Sequence, residues 1–363
     1  MLLYSNKSHC RLVFQLTGSV VFGERRQILI GLFLAAETAG LYHLIDIGHP
    51  FAPNIPNSYG LQTLGMVVSF GTVFRVSLAW TRYWEALTSV HSMYSKWGDV
   101  FMQFVTFCAC DIAALKSTPV GGNGTDQRIP VLERAQSEAQ KYFSILSAMA
   151  ADQIHRGDVQ EMDARLYAGR QTGQITRRRD MHLERQKALH SRSPSLLQGR
   201  SSSQTFGESC FEASYVVKKS PTPREAGALG ASPDRVQLSM TWIVKTLTMV
   251  QKVLSTPPPI QSRMYQELSN GYVHFTNAKK ISDVPFPFNY AQLLAIMLTI
   301  FSSMLPIYIA AFTHSYIAGP LLTFIVFHSI TCINALAEIL ENPFGQDIDD
   351  ISLADFHMRF LQV

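Results

Sequence analysis

Charge is scarce in this 363-residue sequence: Asp, Glu, Lys and Arg make up 16% of it, against 47% hydrophobic residues. Soluble domains carry about 25% charged residues, so much of this chain is expected to lie away from water. Cysteine is sparse as well. Cys10, Cys108, Cys110, Cys210 and Cys332 are odd in number and contain no CxxC pair, and Cys108 and Cys110 are too close for the usual metal pair. The thiols are read as reduced, with no disulfide framework and no zinc site. Enzyme signatures are missing: there is no GxxxxGK followed by Ser or Thr, no HExxH and no GxSxG, and the His and acidic residues are scattered. No catalytic residue and no organic cofactor are expected. A cleavable leader is not expected either, because Met1–Phe22 lacks a basic start and its apolar runs are broken by Lys7, His9, Arg11 and Gln15. That leaves the plasma membrane and organelle membranes, the thylakoid among them, open as locations.

Four apolar stretches stand against this background. The first, Ile28–Ile47, carries Glu37 in its middle. An intramembrane carboxylate is costly, so Glu37 is either one half of a structural pair or a residue on an aqueous path. The second stretch, Leu61–Glu85, organises the chain. Met66, Phe70 and Phe74 recur every fourth residue and fall along one stripe of a helix; Arg75 follows, then Trp80, Arg82, Tyr83, Trp84 and Glu85. The stripe fits a channel wall, and it also fits ordinary helix packing. The third and fourth stretches are Phe288–Phe312, with Pro306 expected to kink it, and Ile317–Leu340, which carries His328 and exits at Glu338 and Glu341. His328 is read as hydrogen-bonded to a neighbouring helix or as a ligand. Each stretch is near the ~20 helical residues that cross a bilayer.

The spaces between the spans divide the chain. Residues 1–27 form an N-terminal segment, 28–85 the first two spans, 86–156 cytosolic helices, 157–234 an insert, 235–285 further cytosolic helices, 286–341 the last two spans and 342–363 a C-terminal segment. In Val131–Arg156 the positions Leu132, Ala135, Ala139, Tyr142, Phe143, Leu146, Ala150 and Ile154 keep helical spacing, as do Val236, Met240, Ile243, Leu247, Val250 and Leu254 further on, before Pro257-Pro258-Pro259 stops that helix. Between these helices order fades. Arg177-Arg178-Arg179 and Ser191–Gln204 show no burial pattern, so 157–234 is expected to be a disordered basic insert. It lacks interleaved aromatics, so no nucleic-acid partner is expected. Ser193-Pro194, Ser220-Pro221 and Thr222-Pro223 are weak candidates for phosphorylation, and Asn123-Gly124-Thr125 is a glycosylation acceptor that a cytosolic location would leave inert. Residues 48–60 and 313–316 contain no Lys or Arg, whereas 82–280 hold most of the 31. Positive charge near span ends stays inside, which puts both termini and the central region on the cytosolic face or its organellar equivalent.

Three ordered motifs then become recognisable. Phe74-Arg75 followed by Arg82-Tyr83-Trp84-Glu85-Ala86, the run Val284-Pro285-Phe286-Pro287-Phe288-Asn289-Tyr290-Ala291-Gln292, and Glu341-Asn342-Pro343-Phe344-Gly345 together resemble the bestrophin family of anion channels, in the form found in bacteria, plants and algae. The resemblance covers nearly all of the chain except the insert. It implies an all-α fold: a protomer of four transmembrane helices with a large cytosolic helical region, five copies assembling around one central pore in a lipid membrane and passing chloride and bicarbonate. It places Met66, Phe70 and Phe74 at the three hydrophobic neck positions, with Arg75, Arg82, Trp84 and Glu85 supporting the pore helix. Met66 departs from the branched or aromatic residue usual there, and a flexible thioether makes a softer ring. In calcium-gated animal members an acidic cluster after the NPFG turn helps form a clasp, and here Asn342, Asp347 and Asp350 stand at the matching positions. The cluster is thinner, with Ile348 interrupting it and Gln346 in place of an acid. Calcium is therefore a candidate ligand, with a helix-capping turn as the alternative. A secondary carrier and a non-conducting scaffold working through the insert remain the rival functions; the carrier would show internal repeats, and none is evident.

Overall fold

The computed structural model describes residues 19–50, 55, 57, 59–117, 127–156, 215–313, 315–345, 347 and 349–362. Cys10, Asn123, Arg177-Arg178-Arg179, Ser193, Cys210, Gln346 and Ile348 lie outside them, as do residues 157–214 of the insert. Among the described residues all regular structure is helical: α1 (Val20–Gly23), α2 (Arg25–Asp46), α3 (Tyr59–Ser117), α4 (Arg128–Arg156), α5 (Pro223–Ala231), α6 (Arg235–Val250), α7 (Pro258–Asp283), α8 (Phe288–Phe312), α9 (Ala318–Glu341) and α10 (Leu353–Gln362). Four of these, α2, α3, α8 and α9, are long and apolar enough to cross a bilayer. The chain divides into two compact units, one of Met1–Thr88 with Val284–Ser352 and one of Ser89–Asp283 with Leu353–Val363.

In the first unit, the core joins Leu34 of α2, Val68 of α3, Leu294, Leu298, Phe301, Leu305 and Ile309 of α8, and Phe327 of α9. Between helices in lipid there is little hydrophobic driving force, so close contact and polar links have to hold them. Both are present. Thr38 and Thr323, fully buried, share a hydrogen bond of 2.9 Å between α2 and α9. Gly319 lets Tyr42 lie against the α9 backbone: a Cβ there would sit 2.2 Å from the tyrosine oxygen. Pro306 is buried inside α8, which continues to Phe312.

In the second unit, the residues spaced three and four apart in α4 are buried: Leu132, Ala135, Ala139, Phe143, Leu146, Ala150 and Ile154. They meet the α6 row of Val236, Ile243, Leu247 and Val250. Trp97 of α3 is fully buried against Gly271 of α7, where a Cβ would come within 2.3 Å of the indole nitrogen. Two expectations change here. Pro258 and Pro259 do not merely end the preceding helix; they are the first residues of α7, where the missing N–H costs nothing and the fixed φ suits the first turn.

The second change concerns the insert. Its last twenty positions, expected to be disordered, are structured. Thr222 caps α5 in a reciprocal capping box: its hydroxyl accepts the Glu225 N–H while the Glu225 carboxylate accepts the Thr222 N–H at 2.8 Å, with Pro223 opening the helix. The Thr-Pro-x-Glu pattern carries that signature in the sequence; it was read as a modification dipeptide instead. Lys141 of α4 donates to both Glu225 oxygens, at 2.8 and 3.0 Å, and the Tyr142 hydroxyl donates to one at 2.8 Å. Burial opposes the charged carboxylate, but these donors and the Thr222 N–H outweigh it and hold the Glu225 carboxyl down at about 2. The stability this contributes is present above the unfolded carboxyl range and is lost as pH falls from ~4.3 through about 2. Just before α5, the Val216 carbonyl accepts a hydrogen bond from His357 Nε2 at 2.7 Å, which leaves Nδ1 to accept from the Ser147 hydroxyl at 2.6 Å. Glu225→Ala should therefore cost about 2 kcal/mol, the scale of a charge-assisted hydrogen bond. Limited proteolysis should then cut within 215–234 faster than in the parent, and Glu225→Gln should lie between the two.

Candidate pore helix and its anchors

The first thirty residues of α3 have two unlike faces. Val68, Thr72, Arg75, Ala79, Tyr83 and Ala86 are buried, at the steps of three and four that one side of a helix produces. Opposite them, Met66, Phe70 and Phe74 are 63%, 71% and 63% exposed. Three large apolar side chains in one row are thus left uncovered by the chain itself. Below them Ser77 and Thr81 are exposed, and Trp80 stacks on Trp84 with ring centres 6.1 Å apart. Glu85 is exposed one residue on.

The buried face is tied down by arginine. Arg75, 5% exposed, donates from Nε to Glu341 Oε1 at 2.5 Å and from Nη2 to Glu341 Oε2 at 3.0 Å. Its Nη1 donates to Asn334 Oδ1 at 2.7 Å and lies 3.5 Å from Glu338, and the guanidinium stands over the Phe286 ring. Two turns later Arg82 donates to the Glu341 carbonyl at 2.9 Å and to the Val284 carbonyl, and Tyr83 donates to the Asp349 carbonyl at 2.9 Å. The planar, bidentate pairing is one that lysine cannot make. Glu341, Asn334 and Val284 as partners were not foreseen; they lie 200 or more residues from Arg75 and Arg82, and no local period reports such pairs.

The other intramembrane groups differ in kind. Glu37 is exposed on α2 and makes no hydrogen bond or ion pair with another described residue. His328 is bonded through Nε2 to the Val21 carbonyl of α1 at 2.9 Å and stacks on Phe324, so it meets the backbone of a neighbouring helix.

The turn after α9 closes on Asp350. Its Oδ2 accepts the Asp347 N–H at 2.6 Å, Ile351 N–H bonds to the Pro343 carbonyl at 2.9 Å, and Gly345 leaves the room for the carboxylate, since a Cβ there would come within 2.7 Å of Oδ2. Burial pushes the Asp350 carboxyl up to about 6; the Asp347 N–H opposes this, and the charges of Asp347 and Asp349 add to it. Asp350 Oδ1 is buried and has no hydrogen-bond partner among the described residues. Calcium takes six to eight oxygens with high negative charge. Among the described residues no three His, Cys, Asp or Glu side chains are grouped to hold a metal ion, and Asp350 is already committed to the turn. Among the described residues these side chains do not make up a calcium cage. Asp350→Asn should flatten the stability profile between the ordinary carboxylate range and pH 6. A raised folded pKa means that the native state holds the extra proton, so the parent loses stability as pH rises through this window, and thermal unfolding of both proteins at pH 4.5 and 7 checks it.

These features define an all-helical, four-span integral membrane protein with one helix carrying an uncovered apolar row. A family model described as bacterial/fungal bestrophin protein matches residues 133–360, and the chain belongs to that family. The match begins after the Met66, Phe70 and Phe74 row. Similar solved structures include a point mutant of a bacterial bestrophin homologue from Klebsiella pneumoniae, with 13% identity, a TM-score of 0.61, and coverage of 93% of this chain and 96% of that one. A second, described as a membrane protein, has 12% identity and a TM-score of 0.62 at the same coverage. No curated protein matches the chain.

Proposed function

We propose that the protein is a pentameric anion channel that passes chloride and bicarbonate through a hydrophobic neck formed by Met66, Phe70 and Phe74 of five α3 helices. The observation that carries this reading is the uncovered row itself: side chains 63–71% exposed on a helix whose other face is anchored through Arg75. Apolar rings around a narrow pore gate by dewetting and do not bind the ion. Glu37 supports assembly, because a carboxylate with no partner among the described residues is costly in lipid and is relieved when neighbouring copies or water cover it. Arg75, Arg82, Trp84 and Glu85 serve as supports of the pore helix in this reading, and Asn342, Asp347 and Asp350 as a capping turn that works without calcium.

Reconstitution in planar bilayers tests it. Discrete steps with reversal potentials following the chloride and bicarbonate gradients, from a particle with the mass of five chains, are expected. Saturable exchange without steps would establish a carrier, and silence from an intact oligomer would establish a scaffold. Currents should be unchanged by calcium chelation, in the parent and in the Asp347→Asn, Asp350→Asn double variant.

A further inference from the structure

His328 and Cys332 stand one turn apart on α9, and the segment that precedes α2 lies against them. Cys332 Sγ is 3.5 Å from His328 Nε2, and the Val21 carbonyl oxygen is 2.9 Å from the same nitrogen. Nε2 carries at most one hydrogen, and that hydrogen serves the Val21 carbonyl. The thiol sulfur is then a second electron-rich atom crowded against a single donor. A sulfur and a carbonyl oxygen thus both lie within 3.5 Å of one imidazole nitrogen, three donor types around a small volume.

That volume has the dimensions of a coordination site. A tetrahedral ion with Zn–S near 2.3 Å and Zn–N near 2.0–2.1 Å holds its sulfur and nitrogen about 3.5 Å apart, the separation seen here between Sγ and Nε2. The carbonyl needs to withdraw by only a few tenths of an ångström, roughly the difference between a hydrogen bond and two ligands of one tetrahedral ion. It belongs to the four-residue helix α1, joined to α2 through Glu24, so a small shift suffices. We propose that His328, Cys332 and the Val21 carbonyl form a binding site for a borderline-soft divalent cation of the zinc or cobalt type. Imidazole and thiolate select such ions over calcium and magnesium. Binding releases the thiol proton to solvent and leaves His328 protonated on Nδ1 only, with no change of oxidation state. A water takes the fourth position. The bound ion staples α1 to α9.

The site does not depend on whether the protein conducts, so it is tested by binding. The full chain in detergent, with Cys10, Cys110 and Cys210 changed to serine and Cys108 left in place because it is fully buried, is titrated with cobalt(II) under a phosphine reductant. The expected result is one cobalt per chain with a thiolate-to-cobalt charge-transfer band that zinc bleaches. Cys332→Ser should abolish the band, and His328→Gln should weaken cobalt binding by more than about tenfold. Cys332→His should still bind cobalt by calorimetry but without the thiolate band, which shows that the helix surface is intact. No band at millimolar cobalt, a band that survives Cys332→Ser, or an affinity indifferent to His328→Gln would each overturn the site.

Discussion

Changing Met66, Phe70 and Phe74 together to alanine should raise the anion current of reconstituted channels by about tenfold, the effect of lowering a barrier by ~1.4 kcal/mol. In the proposed pore each of the three positions contributes five apolar side chains at one level. Levels are about 6 Å apart, from a rise of ~1.5 Å per residue over four residues. Such walls cannot replace an anion's hydration shell, so the barrier is the departure of water from the constriction. Alanine removes most of each side chain and wets the neck. The chloride-to-bicarbonate reversal potential should hardly move, since no polar group that selects between them is removed. A polar substitution at Phe70 alone should act in the same direction. Leu78 and Leu87, off the row, should not respond. The row is 63–71% exposed in the single chain, so its truncation creates no internal cavity and the fold should tolerate it. If the triple variant conducts like the parent, the row is a packing surface and the pore lies elsewhere.

How legible these features were depended on the range over which the sequence acts. The buried rows of α4 and α6 could be read directly, because a helix packed on helices repeats its apolar residues every three or four positions. The four spans follow from length and apolarity. The unity of α3 was partly legible. Hydropathy falls after Glu85, yet Tyr59–Ser117 is one helix, because backbone hydrogen bonding does not follow hydropathy and no proline occurs in that range to break it. The exposed row of Met66, Phe70 and Phe74 was visible as a period, but the sequence could not say which face of the helix is covered. The Asp350 turn was ambiguous for a different reason. Clustered acids fit both a calcium loop and a capping turn, and a sequence does not report the direction of the Asp350 carboxylate, which points inward onto the Asp347 N–H. The Thr222 capping box is legible as Thr-Pro-x-Glu, a pattern that contains a Thr-Pro dipeptide and so supports two readings at once.

The anchor of α3 is the second place where a large effect is expected. Glu341 is 14% exposed and Arg75 6% exposed as side chains, with a bidentate contact between them. Arg75→Ala leaves the Glu341 carboxylate buried and unpaired, at a cost of about 3–5 kcal/mol. The loss should appear as a large fall in the thermal stability of the detergent-solubilised protein. Glu341→Gln should cost less than Glu341→Ala, since an amide oxygen can still accept one bond from Arg75. The double change Arg75→Met with Glu341→Leu is the informative one. It removes both charges and refills the volume, and replacing a buried pair by apolar residues is often neutral or stabilising, so thermal stability should recover toward the parent. Recovery will be incomplete, because Asn334 and Glu338 also lose their partner. The parent ion pair fixes the rotation of α3 about its axis, and hydrophobic side chains cannot: they specify burial without direction. The double variant should therefore fold but conduct abnormally, with altered open probability at largely recovered stability. If the single and double variants melt together, Arg75 and Glu341 do not act as a pair; if the double variant conducts as the parent does, the pair holds the fold and not the neck.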